Sequence, residues 1–172
     1  PLGVLRVGLN MSNFLLVSSK DANGLPDGVS PDIGKKIAEE LNLVCKLVEF
    51  ERPGLLADAV NENQWDIGNI AYEKERSKTI DFSNPYVNID ANFIFRSNDN
   101  FKSNEEINSP GIKIAVAERS AYDLWLTDNF KNIELVRASS IEKSHNLFRN
   151  NKADVLAGLK PRLIDELANN ND

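Results

Sequence analysis

Arg76 is the residue whose type and place say most about chemistry in this chain. It lies in a short helical stretch, Glu75-Arg76-Ser77-Lys78, just ahead of Ile80-Asp81-Phe82. A guanidinium presents a planar fork of N–H donors that matches a carboxylate, which the point charge of a lysine cannot reproduce. A surface arginine paired with Glu73 or Asp81 fits the same position, and charge alone leaves both readings open. The second candidate is Ser120-Ala121-Tyr122, between an expected strand and an expected helix. There the first backbone N–H groups of the helix and the Ser120 hydroxyl can hold an anionic group, or Ser120 can simply cap the helix. Phe14, Trp65, Tyr72 and Tyr122 are aromatic candidates for a binding wall, and their loop positions favour Tyr72 and Tyr122.

No set of residues suggests covalent chemistry. The chain has one histidine, His145, and one cysteine, Cys45, far apart, which argues against Cys/His catalysis and a structural zinc site. His145 falls in the helical run Lys143-Ser144-His145-Asn146-Leu147 and is expected on a solvated face. Cys45, inside Leu43-Val44-Cys45-Lys46-Leu47-Val48, reads as a small core residue. Gly24 and Gly28 stand in a turn without the G-x-G-x-x-G spacing of a phosphate loop. No metal and no cofactor is expected.

The elements that must position these residues follow from periodicity. Leu5–Leu9 and Val44–Phe50 alternate as strands, and Asp66–Ala71 forms a third. Between them, Ser30-Pro31-Asp32 opens a helix with Ile33, Ile37 and Leu41 as its buried stripe, and Gly54–Glu62 makes a second helix. A further strand, Ala91–Arg96, precedes the polar break Ser97-Asn98-Asp99-Asn100. The alternation then restarts: strands at Ile112–Val116, Ile133–Val136 and Asp154–Gly158, with helices at Ala121–Phe130, Ile141–Arg149 and Arg162–Ala168. Strands alternating with single helices imply parallel sheets with right-handed crossovers. The fold class is therefore α/β, in two lobes, residues 1–96 and 97–172, with a cleft between them. Ligands of such sheets gather at the carboxyl ends of the strands. That selects Asn10–Phe14 (with Asn13), Ala71–Arg76, Arg119–Tyr122 and Gly158–Lys160.

Composition narrows the partners. The 172 residues are 41% hydrophobic and carry a net charge of −6, so a nucleic-acid-tracking basic surface is not expected. No apolar run approaches the ~20 residues that span a bilayer. Pro1-Leu2-Gly3 reads as a cloning or protease-site scar, so a natural leader is expected to have been removed, and Asn169-Asn170-Asn171-Asp172 is expected to fray.

Taken in order, these segments resemble the periplasmic amino-acid-binding proteins of ABC importers, family 3 of the bacterial extracellular solute-binding proteins. The resemblance is carried by Gly28-Val29-Ser30-Pro31-Asp32-Ile33-Gly34, Trp65-Asp66-Ile67-Gly68, Ile80-Asp81-Phe82-Ser83-Asn84-Pro85-Tyr86, Pro110-Gly111-Ile112-Lys113-Ile114-Ala115-Val116, Ser120-Ala121-Tyr122-Asp123-Leu124 and Ala153-Asp154-Val155-Leu156-Ala157-Gly158. It implies a type II periplasmic-binding fold that closes on its ligand by a hinge. It also implies a monomeric, non-enzymatic receptor that binds a small carboxylate-bearing solute and partners a membrane permease. Arg76 would hold the α-carboxylate, shared with the backbone near Ala71 and the Ser120-Ala121 turn.

The chain departs from that pattern in three places. Leu159 stands where an acidic residue usually receives the α-ammonium, and Asp90 is the candidate substitute. Arg119 replaces the usual glycine before Ser120. The chain is expected to stop before the segment that returns to the first lobe. Two alternatives remain on the same fold: a cyclohexadienyl or arogenate dehydratase-like enzyme, and the sensing domain of a receptor kinase.

Overall fold

The computed structural model describes residues 3–99 and 101–169, so Pro1-Leu2, Asn100 and Asn170–Asp172 lie outside the described residues. The chain divides into two compact units, one of residues up to Phe82 and one from Ser83 onward.

The first unit is built on β1 (Val4–Asn10), whose Leu5, Val7 and Leu9 are all buried. β1 is the central strand of a parallel three-stranded sheet, flanked by β4 (Val44–Phe50) and β5 (Ile67–Asn69). A two-stranded hairpin, β2 (Ser19–Lys20) and β3 (Pro26–Asp27), precedes α1 (Val29–Glu40). α2 (Pro53–Asp58) follows β4, and its Leu56 carbonyl accepts the indole N–H of buried Trp65 at 2.9 Å.

Two expectations about α1 are corrected. Its N-cap is Gly28, at φ 131, so Ser30 sits inside the helix and is buried. Its buried face is Ser30, Pro31, Gly34 and Ala38, while Ile37 and Leu41 are exposed at 37% and 57%. Two stripes of spacing four run along this helix, and the close approach to the sheet selects the smaller one. A Cβ on Gly34 would stand 2.5 Å from a methyl of Val7. Cys45, half-buried on β4, packs against the Leu5–Val7–Leu9 core, and burial pushes its thiol pKa up.

The second unit holds a four-stranded sheet in the order β6 (Ala91–Phe95), β9 (Val155–Leu159), β7 (Lys113–Ala117), β8 (Glu134–Ala138). β7 pairs in parallel with β8 and β9. Alternation along β7 sends Ile114 and Val116 to one face and Ala115 to the other. The first face packs with Ile107 of α3 (Asn104–Ile107) and with Tyr122 and Leu126 of α4 (Ala121–Asn129). The second packs with Leu147 and Phe148 of α5 (Ile141–Arg149) and Leu163 of α6 (Lys160–Asn169). Trp125, on the outer side of α4, is 47% exposed and lies 5.7 Å from the Phe130 ring.

β6 departs from the sequence reading, which put it in the first lobe among parallel strands. It runs antiparallel to β9, with Ala91 opposite Leu159 and Phe95 opposite Val155. Phe93 and Phe95 pack on the second unit's core, and this apolar burial fixes where the strand belongs.

His145 is also corrected. It is 1% exposed, its Nδ1 is 2.7 Å from Oε2 of buried Glu166, and Arg149 donates to both oxygens of that carboxylate. The flanking Lys143 and Asn146 suggest a wet face, but α6 covers this side of α5.

Candidate functional site

In the first unit the candidate residues stand beyond the carboxyl ends of β1 and β5. After β1 the chain turns through Asn13, whose carbonyl accepts the N–H groups of Leu16 and Val17 at 3.0 and 2.9 Å. Asn13 Oδ1 is buried with no hydrogen-bond partner among the described residues, an uncommon state for a buried acceptor. Phe14 is half-buried in the same turn.

Beyond β5, Arg76 begins the 3-10 turn Arg76–Lys78 and is only 5% exposed. Its backbone carbonyl accepts the N–H groups of Thr79 and Ile80, and buried Ile80 pins the turn to the core. The guanidinium donates through Nη1 to the Ala71 carbonyl at 2.9 Å, which sets its direction. Tyr72 is 65% exposed, with its ring edge-on to Phe82 at 5.2 Å. The first unit thus brings Arg76, Ala71 and Tyr72 into one short stretch. Trp65 lies in the core instead of on a surface.

In the second unit, Ser120 is the N-cap of α4, its Oγ accepting the Asp123 N–H at 3.2 Å. Ala121 is half-buried at the first helical position. Tyr122 is corrected from a loop aromatic to a core residue. It is 8% exposed, and burial pushes its phenol up to about 12 against the pull of hydrogen bonds with Ser120 and Ala117. Arg119 adopts φ 57, the left-handed region that glycine occupies most readily.

Asp90 and Leu159 come together. Ala91 pairs with Leu159, and the Asp90 carbonyl accepts the Lys160 N–H at 2.8 Å. The exposed Asp90 carboxylate also stands 3.8 Å from the Lys160 ammonium.

Sequence reasoning missed Asp123, which is 2% exposed. The spacing of Ser120 and Asp123 is a capping-box pattern and was the available signal. It also missed Arg137, Asp123's partner, which carries no local signal at all. Among the described residues, no three His, Cys, Asp or Glu side chains gather as a metal ion would require, and no helix is long and apolar enough to cross a membrane.

Solved structures define the class. The arginine-bound truncated arginine-binding protein from T. maritima matches with a TM-score of 0.73 and 26% identity, over 99% of this chain and 80% of that one. An ancestral amino-acid-binding protein, described as a precursor of cyclohexadienyl dehydratase, matches at 0.75 and 24% identity, over 96% and 75%. The fold is the type II periplasmic-binding fold, with a parallel and a mixed sheet flanked by helices. Residues 5–170 match the bacterial extracellular solute-binding proteins, family 3, and the chain belongs to that family. The L-arginine-binding protein of Pseudomonas aeruginosa is 25% identical over 169 residues. That match takes in 98% of this chain, which spans 62% of the relative's length.

Proposed function

We propose that this chain is the solute receptor of an ABC importer. It binds a small carboxylate-bearing solute, an amino acid or related organic acid, and performs no covalent chemistry. The observation that carries this reading is Arg76, a guanidinium held 5% exposed at the carboxyl end of a parallel sheet and aimed by the Ala71 carbonyl. Family membership supports an extracytoplasmic location, proposed as the periplasm, and a membrane permease as partner to a monomeric receptor. On the first unit Arg76 takes the ligand carboxylate, with Ala71, Tyr72, Asn13 and Phe14 as its candidate neighbours; on the second unit the Ser120-Ala121 turn is the candidate for an anionic solute group. Tyr122, next in the chain, is buried in the second unit's core.

Asp90 receives the ammonium in place of the leucine at position 159. Its backbone tie to Lys160 supports that role, since it fixes Asp90 at the end of β9. An amino acid whose ammonium met only Leu159 would lose water without compensation.

The test is a thermal-shift panel of L-arginine, L-lysine, L-cysteine, simple carboxylates and prephenate. A ligand at a hundred times its Kd stabilises the folded state by about 2.7 kcal/mol, a rise of several degrees. The expected result is such a rise with at least one amino acid and no turnover of prephenate. A flat panel, or conversion of prephenate, would overturn the proposal.

A further inference from the structure

The turn before α4 is strained in backbone and charged beneath. Arg119 holds φ 57, which a residue with a side chain adopts only when its surroundings enforce it. The enforcing group is Asp123. Its Oδ2 accepts the Arg119 N–H at 2.7 Å, while its own N–H donates to Ser120 Oγ. A carboxylate 2% exposed is expensive to keep unless it is matched. Arg137 matches it from β8, with Nε 2.9 Å from Oδ1 and Nη2 donating to Thr127 Oγ1 at 2.8 Å. Thr127 in turn donates to the Asp123 carbonyl at 2.8 Å, closing the ring of contacts.

The N–H groups of Ala121 and Tyr122, at the first two helical positions, have no acceptor within α4. They immediately precede Asp123 in the chain. An anion approaching them would be repelled by a bare Asp123 and is not repelled by a neutralised one.

We propose that Asp123 and Arg137 are a positioning pair: the acid sets the left-handed turn and the arginine cancels its charge, so that the Ser120-Ala121 turn can accept an anionic solute group. This rests on the reading that the turn contacts the solute's carboxylate.

The experiment is calorimetric titration with L-arginine of the parent, Arg137→Gln and the double variant Asp123→Asn/Arg137→Gln, with melting midpoints measured alongside. Arg137→Gln should weaken binding about tenfold or more. The double variant keeps an oxygen for the Arg119 N–H and removes the stranded charge, so it should return to within about threefold of the parent. A purely structural role predicts the opposite order, with the double variant no tighter than the single. That order, or equal affinity in all three, overturns the proposal. If the parent fails to bind L-arginine, the arginine reading alone falls, and the same three proteins are titrated with an amino acid that raised the melting midpoint in the thermal-shift panel, judged by the same order of affinities.

Discussion

The two units secure their candidate residues over different lengths of chain. In the first, Arg76 is tied to Ala71, five residues away. In the second, Asp123 meets Arg137 across 14 residues and His145 meets Glu166 across 21. A short tie needs only a turn to form, whereas a longer one needs packed strands and helices around it. Damage to the local anchor should therefore show in binding alone, whereas damage to a remote tie should show in folding as well.

The largest effect that would break this contrast lies between α5 and α6. Glu166→Ala leaves His145, 1% exposed, without its carboxylate and removes one partner of Arg149. Loss of one member of a buried charge cluster costs about 3–5 kcal/mol, read as a fall in the urea midpoint. A loss under ~1 kcal/mol would class this cluster with ordinary surface pairs.

Next is the local anchor. Arg76→Ala should weaken binding of the amino acid found in the panel by about a hundredfold, ~2.8 kcal/mol, while leaving the ligand-free melting midpoint near the parent's. Arg76→Lys should recover only part of the affinity, because a point charge lacks the fork. A ligand-free midpoint that fell as far as that of Glu166→Ala would erase the contrast.

Ser120→Ala removes a helix cap and should cost about 1 kcal/mol by urea titration. Ser120→Asn, another capping residue, should restore most of it.

An effect absent at neutral pH appears in alkali. The folded-state pKa of Tyr122, about 12, stands above the ordinary tyrosine value. The neutral phenol is thus favoured by the fold, and its contribution is full below pH ~10. It is lost as the pH rises toward about 12. Tyr122→Phe should flatten the parent's fall in stability across that window, measured by denaturant titration at stepped pH.

The legibility of the molecule follows the same division. Val44–Phe50 and Ile141–Arg149 end where their periodicity ends, because strand and helix patterns are local. The Arg76 turn was readable for the same reason. The inward face of α1 was not, since Gly34 and Ala38 carry little hydrophobic signal and are buried because the helix lies close to Val7. β6 was misassigned because a strand's partner is chosen by tertiary packing, and nothing between Ala91 and Phe95 names β9. His145 and Asp123 were hidden likewise: the Glu166 and Arg137 that explain them lie on other elements.

The chain's two tryptophans fall one to each unit. Trp65 is sealed in the first unit's core with its indole N–H given to Leu56, whereas Trp125 stands 47% exposed on α4. Their fluorescence should therefore separate by colour, a blue-shifted emission resistant to acrylamide from the first and a redder, readily quenched one from the second. A single emission scan through a denaturant series then follows both units at once, and reveals whether they melt together or in turn.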